Sequence, residues 1–111
     1  MNLKEVRALS NKELRIMVAR LDKYRKLRRE GGYLVGYKDG QTFWREVPNY
    51  PQDLNAMHEA EKLLNPEHKG EYSTKFDEYC TNLALICVFN NCLLRATARQ
   101  RAEAFVLTME N

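Results

Sequence analysis

With 111 residues, 44% of them hydrophobic and 30% charged, the chain reads as one domain of ordinary globular composition. Its net charge of +3 does not demand a nucleic-acid partner, and no apolar run approaches the roughly 18 residues of a membrane span. Residues 1–7 lack the apolar stretch of a signal peptide, so the expected location is the cytoplasm. Cys80, Cys87 and Cys92, odd in number and without a C-x-x-C spacing, then read as buried small hydrophobes.

Ser10-Asn-Lys-Glu13 has the form of a capping box, with Leu9 and Leu14 placed as a hydrophobic staple. Leu14, Met17, Val18, Leu21 and Tyr24 then recur at spacings of three and four. This predicts a helix from Asn11 to about Arg29, stopped by Gly31-Gly32. Seven basic residues against the single acid Asp22 lie between Arg15 and Arg29, so that stretch carries a formal +6 and the remainder −3.

A hairpin is expected over about 33–47, turning at Asp39-Gly40, because Asp-Gly suits a two-residue turn with both central residues at positive φ. In that register Val35 faces Trp44, Gly36 faces Phe43 and Tyr37 faces Thr42. One face carries Tyr33, Val35, Tyr37 and Trp44; the other carries Leu34, Phe43 and Val47. Both faces are apolar, so helices are expected over each. Two strands alone are marginal in water, which calls for a third strand; Leu85–Phe89 is the internal candidate and a second copy the external one.

Asp53 is placed to cap the next helix. Ala56, Met57, Ala60, Leu63 and Leu64 share one of its faces, Asn55, His58 and Lys62 the opposite one, and Asn65-Pro66 ends it. Residues 67–71 read as a polar loop. Phe76, Tyr79, Cys80, Leu83 and Cys87 then recur at helical spacing. The run from Ala84 to Phe89 is apolar on all sides and fits helix or strand; the stripe stays in phase, which favours helix to about Asn90. Thr97-Ala-Arg-Gln100 is a second capping box, opening a helix with Ala102, Phe105, Val106 and Met109 on one face. The fold class is therefore α+β: a small antiparallel sheet layered with about four helices in a single domain, residues 1–111.

Chemistry-bearing patterns are sparse. His58 and His68 have no cysteine at a zinc spacing, and Lys62 stands where His-Glu-x-x-His needs its second histidine. Glu59 and Glu61 project to different sides of their helix. No Gly-rich phosphate loop is present. These readings point to a protein without catalytic residues, metal or cofactor. Lys23, Arg25, Lys26, Arg28 and Arg29 crowd one end of the first helix, where they suit a phosphate backbone or an acidic partner. Tyr33, Tyr37 and Trp44 could add stacking surface; a solvated face and an ordinary core face account for the same residues. Arg95, Arg99 and Arg101 lie close to the Thr97 helix start, a combination suited to a small phosphorylated ligand, unless Thr97 and Gln100 already satisfy the free N–H groups.

Two blocks go further. Tyr50, Asp53, Leu54, Asn55, Ala56, His58, Glu59 and Glu61 form the first, and Ala96-Thr-Ala-x-Gln-Arg-Ala-Glu-Ala-Phe105 the second. Together they resemble a family of small phage and prophage proteins of the αβα-sandwich type. The resemblance implies a phage origin, and with it the cytoplasm of a host cell, and layered α/β/α architecture. A homo-oligomer is expected beside it, since a second copy could complete the sheet. The resemblance implies no activity. Phage proteins of this size and fold type often act by binding, so the expected function is a non-enzymatic accessory protein that binds a host-side target, a host protein or a nucleotide signal of antiviral defence. Arg95, Arg99 and Arg101 would then hold phosphates, and Asn55 or His58 would meet polar groups. The alternative is a nucleic-acid-binding protein that uses Lys23–Arg29.

Overall fold

The computed structural model describes residues 1–64, 74–87 and 96–110. Among them are five α-helices, one 3-10 turn and a three-stranded antiparallel sheet of order β1-β2-β3, an α+β domain as the sequence pattern predicts.

Helix α1 (Leu3–Arg7) and helix α2 (Asn11–Leu21) each start at a capping box, Asn2 with Glu5 and Ser10 with Glu13. The Ser10 hydroxyl accepts from the Glu13 N–H, and the Glu13 carboxylate accepts from the Ser10 N–H. Donation from the Ser10 backbone N–H first, and from the Ser10 side chain second, holds the Glu13 carboxyl below the usual carboxylate range. Leu14 and Val18 are fully buried and Met17 packs beside them, so the apolar stripe acts as expected for its first two turns.

The helix does not continue to Arg29. It ends at Leu21, with Asp22 as C-cap and Lys23 in the left-handed region (φ 69°). The next residues form strand β1 (Tyr24–Glu30), paired with β2 (Tyr33–Lys38). Gly31 and Gly32 are therefore the two-residue turn of this hairpin. Both have positive φ (57° and 87°), as the turns that match strand twist require. The third strand, for which residues 85–89 are the internal candidate by sequence, is supplied by β1, and residues 85–86 are helical, as the in-phase stripe favours.

The Asp39-Gly40 hairpin exists in looser form. Strand β3 (Arg45–Glu46) pairs with β2 with Val35 opposite Glu46 and Gly36 opposite Arg45. That is a shift of two residues from the tight-turn register, so the faces are preserved. The 39–44 segment becomes a loop, with Gly40 at φ 82°.

Cross-strand partners share a face. Leu34 and Tyr24 lie on the inner one, both buried. Gly36 admits the hairpin here: a Cβ at this position would stand 2.9 Å from Leu27 Cδ2 and 3.0 Å from the Arg25 carbonyl oxygen.

The 3-10 turn (Tyr50–Gln52) leads into helix α3 (Leu54–Glu61), whose N-cap Asp53 accepts from the Ala56 N–H. Helix α4 (Thr74–Ile86) buries Tyr79 and Leu83; its expected continuation to Asn90 falls on residues outside those described. Helix α5 (Ala98–Met109) departs most from expectation. Its apolar stripe predicts one buried face, yet every residue from Arg101 to Thr108 is buried. It packs against α1, α2, α3, α4 and the 3-10 turn and is the axis of the domain.

Placing polar residues on that axis requires partners for each. Thr108 accepts from the Asn82 amide at 3.0 Å and donates to the Ala104 carbonyl at 2.8 Å. Glu103 meets Arg99 at 3.0 Å, and Arg101 meets Glu61 of α3 through two hydrogen bonds of 3.2 Å. At the other end of the core, Tyr50 donates to buried Asp22 at 2.6 Å, and Lys38 approaches the same carboxylate at 3.3 Å. This cluster ties the end of α2 to β2 and to the 3-10 turn. Arg15 of α2 adds a clamp by donating to the carbonyls of Val47 and Pro48.

Candidate functional site

Among the described residues helix α2 packs against β1, and the outer sheet face, which carries Tyr33 and Trp44, is partly exposed. It is built from alternate residues of β2, Tyr33, Val35 and Tyr37, as the alternation predicts. The register brings Glu30, Arg28 and Arg25 of β1 opposite them, with Glu46 of β3 on the other flank. Trp44 leans over this surface from the 39–44 loop. Its ring meets Tyr37 edge to face, with centroids 5.4 Å apart and planes at 78°, and the Arg28 guanidinium sits 4.2 Å from its centre. Tyr33 remains 60% exposed and Trp44 41%. Among the described residues, the ring contacts on this face come from its own aromatic and arginine side chains. Phe43, expected on the inner face, is also 56% exposed, because the shifted register places it in the loop; Arg45 stacks 5.8 Å from its ring.

Arginine and lysine surround these rings. Between Lys23 and Glu46 there are seven basic residues and three acidic ones. The five expected on a helix end, Lys23, Arg25, Lys26, Arg28 and Arg29, are all exposed but lie on and beside an edge strand. Two make surface ion pairs, Arg25 with Asp39 and Arg28 with Glu30, each at 2.8 Å between half-exposed side chains. Such pairs are worth about 0–1 kcal/mol, so a phosphate could displace the carboxylates at little expense. The inner side holds further cations over rings, with Lys38 and Arg45 each 5.4 Å from the centre of Tyr24. Burial, the larger influence, raises the pKa of Tyr24 above the ordinary phenol value, and the Arg45 charge opposes it.

The other expected cluster is used inside the fold. Arg99 donates to Glu103, to Asn11 at 2.8 Å and to the Leu9 carbonyl at 2.6 Å, pinning the α1–α2 connection to α5. Arg101 turns the other way, is 7% exposed and pairs with Glu61. The two forks diverge onto different elements and do not form one solvent-facing anion seat. Thr97 and Gln100 satisfy each other's backbone N–H groups at the helix start, as the capping box predicts. Asn55 and His58 project from the exposed side of α3, and Arg95 lies outside the described residues.

Tyr79 is buried beside the Glu61–Arg101 pair. Burial first, and then the Glu61 charge, push its hydroxyl well above the phenol range. Burial likewise raises the Cys80 thiol, the opposite of an activated nucleophile. Among the described residues no group of three or more His, Cys, Asp or Glu could hold a metal ion, and no helix is long and apolar enough to cross a membrane.

The sequence located the basic residues and the stacking trio but assigned them to two separate elements. Their shared face follows from the Gly31-Gly32 turn, a recognised hairpin dipeptide that reads equally well as a helix stop. No family model, curated protein or solved structure matches the chain.

Proposed function

We propose that the protein binds single-stranded nucleic acid on the outer face of its sheet. The observation that carries this reading is the juxtaposition of the exposed rings of Tyr33 and Trp44 with Arg25 and Arg28 on one partly exposed surface. Unpaired bases stack on aromatic side chains with a gain of about 1–3 kcal/mol per base, largely without regard to sequence. Arginines between the rings neutralise the backbone and make the affinity depend on salt. A single strand fits better than a duplex, because a duplex keeps its bases stacked on each other and away from such a platform.

The reading drawn from the phage resemblance, a nucleotide signal held by the second arginine cluster, is less well supported. Arg99 and Arg101, its two described phosphate-binding forks, are engaged by Asn11, Glu103 and Glu61.

Trp44 is the chain's single tryptophan, so its fluorescence reports on the proposed surface directly. Titration with short oligothymidylate at low salt should quench it. Trp44→Ala, followed by anisotropy of a labelled oligonucleotide, should weaken binding roughly five- to a hundredfold. Unchanged fluorescence and anisotropy across the titration would remove the proposal.

A further inference from the structure

Strand β1 pairs with β2 in two registers, with Arg25 opposite Tyr37 before the break and Arg28 opposite Val35 after it. One extra residue has been inserted, which is a β-bulge. At its centre Lys26 adopts φ 52°, a left-handed conformation that glycine usually supplies in bulges of this kind. Lys23, just past α2, also lies in that region.

Holding a side chain there is unfavourable for an L-residue, and such outliers point toward function when something depends on the side chain. What surrounds Lys26 indicates what that is. The bulge opens a half-enclosed pocket of about 420 Å³ against the end of α2, lined by Arg20, Tyr24, Arg25, Lys26 and Leu27. Three of the five are cationic and none is acidic. Of the carboxylates on adjoining segments, Asp39 is held on Arg25 at 2.8 Å and Asp22 is occupied by Tyr50 and Lys38.

We propose that this pocket is a phosphate seat, which Lys26 and Arg20 flank and Arg25 connects to the aromatic face. The inference rests on the nucleic-acid reading for the source of its ligand, a phosphodiester of the strand lying on that face. Arg25 stands opposite Tyr37 on the outer surface and also lines the pocket. A strand stacked on Trp44 and Tyr33 would therefore pass over the β1 edge and place a phosphate among the three cations. The edge position matters: in the interior of a sheet the bulge would have a neighbour on each side.

The test uses Lys26→Gly and Arg20→Ala beside Trp44→Ala, with oligothymidylate and inorganic tripolyphosphate as probes. Glycine suits the left-handed position, and Arg20 is exposed, so both pocket variants should fold. Each is expected to weaken oligonucleotide binding roughly tenfold and to reduce the slope of log affinity against log salt by about 0.7 for each phosphate no longer neutralised. Tripolyphosphate is expected to raise the melting temperature of the wild type and not that of Lys26→Gly. Wild-type affinity and salt slope in both pocket variants, with binding weakened in Trp44→Ala, would overturn the seat and leave the sheet-face reading intact. A tripolyphosphate effect that disappears in Lys26→Gly, without any oligonucleotide binding, would uphold the seat for free polyphosphate and overturn the sheet-face reading. No response to either probe overturns both.

Discussion

The guanidinium of Arg28 lies 4.2 Å from the centre of the Trp44 ring, joining the edge strand to the loop that follows β2. Both groups are partly exposed, so the contact orders the outer face without closing it. A cation over an exposed indole contributes about 0.5–1 kcal/mol. Arg28→Ala should lower stability by about that amount in urea denaturation, and Arg28→Lys by less. Trp44 emission should shift to longer wavelength in Arg28→Ala as the ring gains water.

Gly36→Ala should be among the more damaging single-methyl changes in the chain. The added Cβ meets a backbone carbonyl at 3.0 Å as well as the Leu27 methyl, and backbone cannot swing aside as a side chain can. Overpacking of this kind costs about 1–3 kcal/mol. The midpoint of thermal or urea unfolding measures it, and an unchanged midpoint would show that the hairpin has room for the added methyl.

Arg101→Ala should destabilise by about 3–5 kcal/mol, since it leaves the Glu61 carboxylate without its buried partner. Replacing both members, Glu61→Leu with Arg101→Met, should recover much of that stability by removing the stranded charge. If Arg101 were a ligand-binding residue and not a structural one, Arg101→Ala would leave the unfolding midpoint in place and alter binding alone.

Alkaline pH should unfold the protein cooperatively. Tyr50 and Tyr79 are both raised well above the ordinary phenol value of 10.0, chiefly by burial and then by Asp22 and Glu61 respectively. In the unfolded chain each loses its proton near pH 10, while in the fold each keeps it. The unfolded state thus binds fewer protons above that pH, and stability falls as pH rises. Below about pH 10 the contribution is present in full. Above it the slope should approach about 1.4 kcal/mol per pH unit for each tyrosine. Urea midpoints measured across this range should show a shallower decline for Tyr50→Phe, by roughly the share of one group.

Much of the fold was legible because its signals are local. Ser10 with Glu13 and Thr97 with Gln100 satisfy their own helix starts, so no distant residue is needed to predict them. The face of β2 that carries Tyr33, Val35 and Tyr37 was likewise readable, because a register shift of two preserves every side. The end of the first helix was not. Leu21 and Tyr24 are spaced by three and continue the stripe of Leu14, Met17 and Val18, which reads as helical. In the structure Leu21 closes a helix, while Tyr24 and Leu27 share the inner side of a bulged strand. The bulge inserts one residue into a two-residue period and so imitates a helical one.

The candidate site was half legible for the same reason. Composition located Lys23, Arg25, Lys26, Arg28 and Arg29, and separately Tyr33, Tyr37 and Trp44, but pairing across the Gly31-Gly32 turn put them together. For Arg99 and Arg101 the sequence showed two cations near a helix start and could not show that this helix is the buried axis of the domain.

The chain by itself determined where helices begin, which positions are apolar and how charge is distributed, since each depends on neighbours a few residues away. Only the tertiary structure decided whether Tyr24–Glu30 is helix or strand and which arginines face water. Those outcomes depend on partners outside the segment itself: β2 across the turn for the strand, and, far along the sequence, Glu61 for Arg101 and Leu9 and Asn11 for Arg99. Pairing and burial energies gained there exceed the few tenths of a kcal/mol per residue by which local propensity prefers one state to another.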